Sequence, residues 1–172
     1  MDKDKKRKYL KIVSDKSLNE LSEWNIDLRK RKFDPQNKVP KEDLEWLIKE
    51  IEKEFVLRFE RGDTPMDLPT TGLLAVMGYH VGKTDGVKEE IRRDMLKAIF
   101  MGPLPLVGSM DYMKEWSEDG SSKRFNKLRN VLWALRGRSS SSGSHDQARA
   151  EWTADIEWLD ERKEKWLKKH KN

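Results

Sequence analysis

Residues 40–62, PKEDLEWLIKEIEKEFVLRFERG, carry the clearest helical pattern of the chain. Apolar side chains recur there every three or four residues, which is the period of one face of an α-helix. They are Leu44, Leu47, Ile48, Ile51, Phe55 and Phe59. Pro40 stands at the first turn and Gly62 follows the last turn, where these residue types favour helix ends. The stretch predicts a long amphipathic helix over residues 41–61.

The same period recurs through much of the chain. Ser17 and Glu20 form a capping-box pattern at the start of a helix predicted over residues 17–32. A second such pattern, Ser144 with Gln147, opens the last predicted helix. Further helices are predicted from residues 73, 87, 109 and 122, and no segment shows the two-residue alternation of a strand. The sequence therefore predicts an all-α fold, an irregular bundle of about six or seven helices.

Composition agrees with helices that are half exposed to solvent. The 172 residues are 35% apolar and 39% charged, with a net charge of +5. Ordinary domains are roughly 45–50% apolar and about 25% charged, so a thick core with buried strands is disfavoured. Seven tryptophans argue against disorder, because disordered chains contain few large aromatic residues.

Several classes of site are disfavoured by what the sequence lacks. It has no cysteine, which excludes disulfides, thiolate catalysis and cysteine zinc sites. Its three histidines, His80, His145 and His170, are too scattered to form a ligand motif. We therefore expect no metal and no cofactor. No apolar run approaches the ~20 residues that span a bilayer, so a cytoplasmic protein without a membrane partner is expected.

Two regions are distinguished along the chain. Residues 1–62 are predicted to be an N-terminal helical extension, made of a basic arm and two amphipathic helices. Residues 63–172 are predicted to be a helical domain with a Ser/Gly-rich loop at 139–144. The segment KKRKYLKIV, residues 5–13, fits either a short helix or an arm, and its sequence does not decide between them.

Residues 73–86, LLAVMGYHVGKTDG, resemble a strand that enters a phosphate-binding P-loop. A P-loop needs four residues between its two glycines, but the position that would hold the first glycine is Met77. Gly78 is one residue too late, and Asp85-Gly86 interrupt the place where a helix N-terminus should follow. A short helix and a glycine-containing corner are the better interpretation, and Lys83 is the functional candidate within it.

The strongest charge signal lies between residues 123 and 138, which contain six cations and no acid. These cations are Lys123, Arg124, Lys127, Arg129, Arg136 and Arg138. Cations without compensating acids favour contact with nucleic-acid phosphates, because neutralising a phosphate releases counterions. Asn126 and Asn130 add hydrogen-bonding groups, and Trp133 lies off the apolar face of the helix. We predict a nucleic-acid-binding surface here, joined by Lys83, Arg92 and Arg93; a merely solvated basic face is the alternative.

Two other functions stay open at this point. The amphipathic helix 41–61 and the Trp-rich terminal helix favour a protein-interaction or self-assembly subunit. Arg138 and His145, with six residues between them, resemble the Arg-x(4–6)-His signature of the HEPN ribonucleases. That resemblance implies metal-independent RNA cleavage, but Ser139 replaces the Asn, Asp or His that usually follows the arginine. We expect a non-catalytic protein that works by binding.

A broader resemblance covers about Thr71 to Arg162. It rests on LLAVMGYHVGKT, IRRDMLKAIF, SSKRFNKLRNVLWALR and EWTADIEWL. These segments look similar to bacterial helical domains with a Leu-x-x-x-Gly-Tyr-x-Val-Gly core, an Arg-rich helix and a closing Trp-x-x-Asp helix. The resemblance implies an association with bacterial DNA or RNA systems, and it names no activity.

Overall fold

A computed structural model describes residues 1–61, 72–84, 86–105, 110–138 and 145–169. Within these ranges the chain forms helices and no strand, which confirms the all-α prediction. The helices are α1 (Lys3–Asp15), α2 (Leu18–Phe33), α3 (Lys41–Glu60), α4 (Leu73–Val76), α5 (Glu89–Met101), α6 (Met110–Glu115), α7 (Ser122–Arg138) and α8 (Asp146–Lys169). None of them combines the length and apolar character that crossing a bilayer requires.

The chain divides into two compact units. Unit one comprises the described residues up to Met77, together with Pro105. Unit two comprises the described residues of Gly78–Leu104 and those from Met110 onward. The predicted boundary between residues 62 and 63 lies outside the described residues, as does the predicted loop at 139–144.

The core of unit one lies among α1, α2 and α3. The apolar stripe of α3 is buried from Leu44 to Phe55 and packs with Leu21 and Leu28 of α2. The capping box at the start of α2 is present, with Ser17 and Glu20 each bonding the other's backbone N–H. The predicted helix thus forms as α3, and its apolar face from Leu44 to Phe55 is covered inside unit one.

The basic N-terminal segment is a helix, which settles the choice that the sequence left open. Asp2 caps α1 by accepting a hydrogen bond from the backbone N–H of Lys5 at 2.8 Å. Val13 is buried in the core of unit one. At the other end of α1, Arg58 of α3 donates hydrogen bonds to the backbone carbonyls of Ser14 and Lys16, at 2.8 and 2.6 Å. The lysine run is therefore part of the packed fold.

Unit two is organised by α5, α7 and α8. Leu96, Ile99 and Phe100 of α5 are fully buried with Leu128 of α7 and Leu159 of α8. The Phe100 ring stacks on that of Trp166, with centroids 5.2 Å apart. The apolar seam of α8 is thus buried within unit two. The apolar faces predicted to dock a partner, on α3 and α8, are mainly used for internal packing.

Candidate nucleic-acid interface

In the segment that resembles a P-loop, the described residues from His80 onward form a turn held against α8. The backbone N–H of Val87 donates to the carbonyl of His80 at 3.0 Å, which closes the turn. The Gly82 N–H, which a phosphate loop would offer to its ligand, donates to the Glu151 carboxylate at 2.8 Å. The φ of Gly82 is +98°, a value that disfavours residues with a Cβ. This segment serves as architecture, and Lys83 lies exposed on it.

A buried polar cluster lies beside this turn. Asp155 of α8 is fully buried and accepts hydrogen bonds from the Tyr79 hydroxyl at 2.6 Å and from Arg92 Nε at 2.8 Å. Arg92 also donates to the backbone carbonyl of Val87 at 2.7 Å. Burial, followed by the charge of Asp155, raises the pKa of Tyr79. The tyrosine therefore stays neutral and acts as a hydrogen-bond donor.

Two predicted cations of α5 take part in this cluster. Arg92 is buried, so it cannot meet a phosphate unless unit two opens. Arg93 is more exposed, but its guanidinium bonds Glu89 at 2.5 Å and lies 5.5 Å from the ring centre of Trp158. Arg92 is therefore removed from the predicted surface, and Arg93 is at most a peripheral member.

Arg124 has a structural role that the charge count did not reveal. Its buried guanidinium donates to the carbonyls of Gly102 and Ser117, each at 2.6 Å. Gly102 caps the end of α5, and Ser117 has a left-handed φ of 56°. Burial lowers the pKa of Arg124. The residue satisfies chain-end carbonyls, so it too is removed from the predicted surface.

The middle cations of α7 are partly neutralised by neighbouring helices. Lys127 forms an ion pair with Glu115 of α6. Arg129 binds both oxygens of Asp160 on α8, with Nε–Oδ1 and Nη2–Oδ2 distances of 2.7 and 2.9 Å. The helix itself carries no acid, but its surroundings supply two. The positive potential of this face is therefore smaller than the sequence suggested.

What remains is an exposed stripe along α7, which we call the outer face of α7. Its members are Lys123, Asn126, Asn130 and Trp133, all of them exposed, with Arg129 and Arg136 beside the indole. Trp133 is 42% exposed. The guanidinium carbons of Arg129 and Arg136 lie 5.7 and 4.6 Å from its ring centre. The structure thus brings together a large aromatic surface, two amides and several cations.

Arg138 ends α7, and its side chain lies outside the described residues. His145 is exposed at the start of the last described segment, and the loop that joins it to Arg138 is not described. The HEPN-like interpretation therefore stays a prediction. Within the described ranges, no group of His, Asp or Glu is arranged to hold a metal ion.

Sequence reasoning missed Asp155 and Tyr79. Both are separated from their partners by more than 60 positions, and no local spacing in the sequence indicates such a contact.

Comparison with protein-family models, with curated proteins and with solved structures finds no match. The proposals below therefore rest on the chemistry of this chain.

Proposed function

We propose that this protein binds nucleic acid through the outer face of α7. The observation that carries the proposal is the exposed indole of Trp133, with the Arg136 guanidinium 4.6 Å from its ring centre on a helix that contains no acid. Arginine and lysine neutralise phosphates, and exposed aromatic rings stack on bases. No catalytic step is part of the proposal.

The residues of the outer face follow one line along the helix. Lys123, Asn126, Asn130 and Trp133 are spaced by three or four positions, so they lie on one side of α7. At 1.5 Å per residue, the stretch from Lys123 to Arg136 is about 20 Å long. It offers a cation near each end with amides between them, an order that suits an extended anionic chain.

Neutralising the two outer cations tests this proposal. Fluorescence anisotropy of labelled oligonucleotides, single-stranded and duplex, gives the affinity over a range of salt concentrations. In Lys123→Gln/Arg136→Gln we expect about tenfold weaker binding at low salt. The slope of log K against log salt should fall by about one to two in magnitude, because each lost phosphate contact contributes roughly one.

A matched variant separates local contact from overall charge. Lys97 on α5 and Lys165 on α8 are exposed residues of unit two that lie off α7. Lys97→Gln/Lys165→Gln removes the same charge and should leave the affinity within about twofold. Equal losses in the two double variants, or a wild-type affinity that does not change with salt, would contradict the proposal.

A further inference from the structure

We infer that the outer face of α7 selects unpaired nucleic acid, with a base stacked against Trp133. This inference rests on the proposed function and adds the class of ligand. Four observations bear on it: the indole, the arginines beside it, the amides of Asn126 and Asn130, and the acids that border α7.

The indole is the first argument. Trp133 is 42% exposed, whereas Phe125, Leu128 and Leu132 of the same helix are fully buried. Base–aromatic stacking requires a base whose face is accessible, and the bases of a duplex are already stacked on each other. Trp133 therefore fits an unpaired base better than a paired one.

The arginines beside the indole suit the same ligand. The Arg136 guanidinium lies 4.6 Å from the ring centre, so it occupies the kind of position that a base would take. A guanidinium stacks on bases as well as on indole. A base that reaches the ring can therefore contact the Arg136 guanidinium as well as the indole.

The amides supply hydrogen bonds without adding charge. Asn130 lies three positions before Trp133, and Asn126 lies four positions before Asn130. The two asparagines are therefore about 6 Å apart along the helix axis. An asparagine amide offers both donors and an acceptor. Unpaired bases expose edges that such groups can bind. The second and third bases of a strand lying along α7 would meet these side chains.

The bordering acids argue against a duplex. A helix inserted into a groove has a row of phosphates on each side. Here Glu115 of α6 and Asp160 of α8 lie within ion-pair distance of Lys127 and Arg129. Because these acids already pair with Lys127 and Arg129, the borders of α7 offer little positive charge to a second row of phosphates. A single strand carries one row, which can follow the line from Lys123 to Arg136.

The experiment compares unstructured single strands, as both RNA and DNA, with a duplex of the same length at low salt. We expect the wild-type protein to bind both single strands at least about tenfold more tightly than the duplex. Trp133→Ala should weaken single-strand binding about 5- to 150-fold, the range that base stacking contributes, and leave duplex binding unchanged. Trp133→Phe keeps an aromatic face and should restore most of the affinity.

Trp46→Ala is the matched control, because Trp46 of unit one is a partly buried tryptophan with Lys6 over its ring at 5.4 Å. It should leave single-strand affinity unchanged. Tryptophan emission gives an independent readout, since saturation with single strand should quench wild type more than Trp133→Phe. Equal single-strand and duplex affinities, with Trp133→Ala unchanged, would overturn this inference and leave the proposed function standing. Absence of binding to every oligonucleotide at low salt would overturn both.

Discussion

Among the described residues, each unit contains a buried arginine with a carboxylate partner, but the two pairs differ in how well the carboxylate is shielded from water. In unit one, Arg29 of α2 bonds Glu52 of α3 and donates to the Asn25 amide at 2.8 Å. The Glu52 side chain keeps 24% exposure, whereas Asp155 of unit two has none. The first carboxylate is partly hydrated, and the second depends on protein groups.

The pKa directions follow this difference. In unit one, burial lowers the pKa of Arg29 and raises that of Glu52, and their mutual attraction offsets only part of each effect. In unit two, burial disfavours the charged form of Arg92. The hydrogen bond to Asp155 and the negative charge of Asp155 outweigh this effect and raise the pKa of Arg92. When both partners of an ion pair are buried, removing one of them leaves an unpaired buried charge and strongly lowers the free energy of unfolding. Unit two should therefore depend on its pair more than unit one does.

The largest effect is expected at Asp155. Asp155→Ala leaves Arg92 and the Tyr79 hydroxyl buried without their main acceptor, so the free energy of unfolding should fall by about 3–5 kcal/mol. Urea denaturation followed by circular dichroism measures it. The double variant Asp155→Ala/Arg92→Met should recover much of the loss, because no buried charge is then left unpaired. A loss below about 1 kcal/mol in the single variant would contradict the conclusion that unit two depends more strongly on its ion pair than unit one does.

The turn beside the cluster gives the next effect. A Cβ at Gly86 would lie 2.1 Å from the carbonyl oxygen of Gly82, so Gly86→Ala must move backbone. We expect a loss of about 2 kcal/mol, within the range for strained backbone positions. Gly137→Ala is the control, because nothing lies within 4 Å of a Cβ there. Denaturation curves for Gly86→Ala that match those of Gly137→Ala would argue against a tightly closed turn.

Arg29 supplies the direct counterpart in unit one. Arg29→Met leaves Glu52 without its cation, but water can reach that carboxylate, so the expected loss is about 1–2 kcal/mol. The same denaturation measurement gives the value. A loss as large as that of Asp155→Ala would show that exposure of the carboxylate does not set the difference between the two pairs.

The smallest effect concerns an exposed carboxylate, Glu20. Hydrogen bonds from the Ser17 backbone N–H and hydroxyl lower its pKa below the ordinary value of 4.5. Because the folded pKa is the lower one, the stabilisation is complete above about pH 4.5 and is lost as the pH falls through the folded pKa. The stability advantage of wild type over Glu20→Gln should therefore shrink below that pH. Denaturation at a series of pH values tests this, with the exposed Glu23→Gln as control, and a constant advantage would contradict it.

The parts of the fold that follow from local pattern were predictable. The stripe from Leu44 to Phe55 and the capping box at Ser17 each involve residues a few positions apart, so the sequence alone identifies them. The basic segment before Val13 was ambiguous, because its helix is stabilised by packing on α3 and by Arg58, 42 positions from Lys16. Contacts of that separation leave no periodic signal.

The candidate site was predictable only in part, for the same reason. Six cations between Lys123 and Arg138 look alike in sequence, yet Arg124 is buried and Arg129 is paired with Asp160. The broader resemblance pattern included Tyr79, Gly82 and Asp155 but gave no reason for them. The structure supplies one, since Tyr79 and Asp155 bond each other and Gly82 is held by Glu151.

The bond between Arg92 and Asp155 also has a consequence for synthesis on the ribosome. The contacts described for α1, α2 and α3 lie within the first 60 residues, so these three helices can pack together early during synthesis. Asp155, the carboxylate partner of Arg92, is synthesised 63 residues later. Until α8 has been made, Arg92 and Tyr79 lack the Asp155 carboxylate, and Phe100 of α5 lacks the Trp166 ring. A nascent chain paused before α8 should therefore be the species that chaperones and proteases meet.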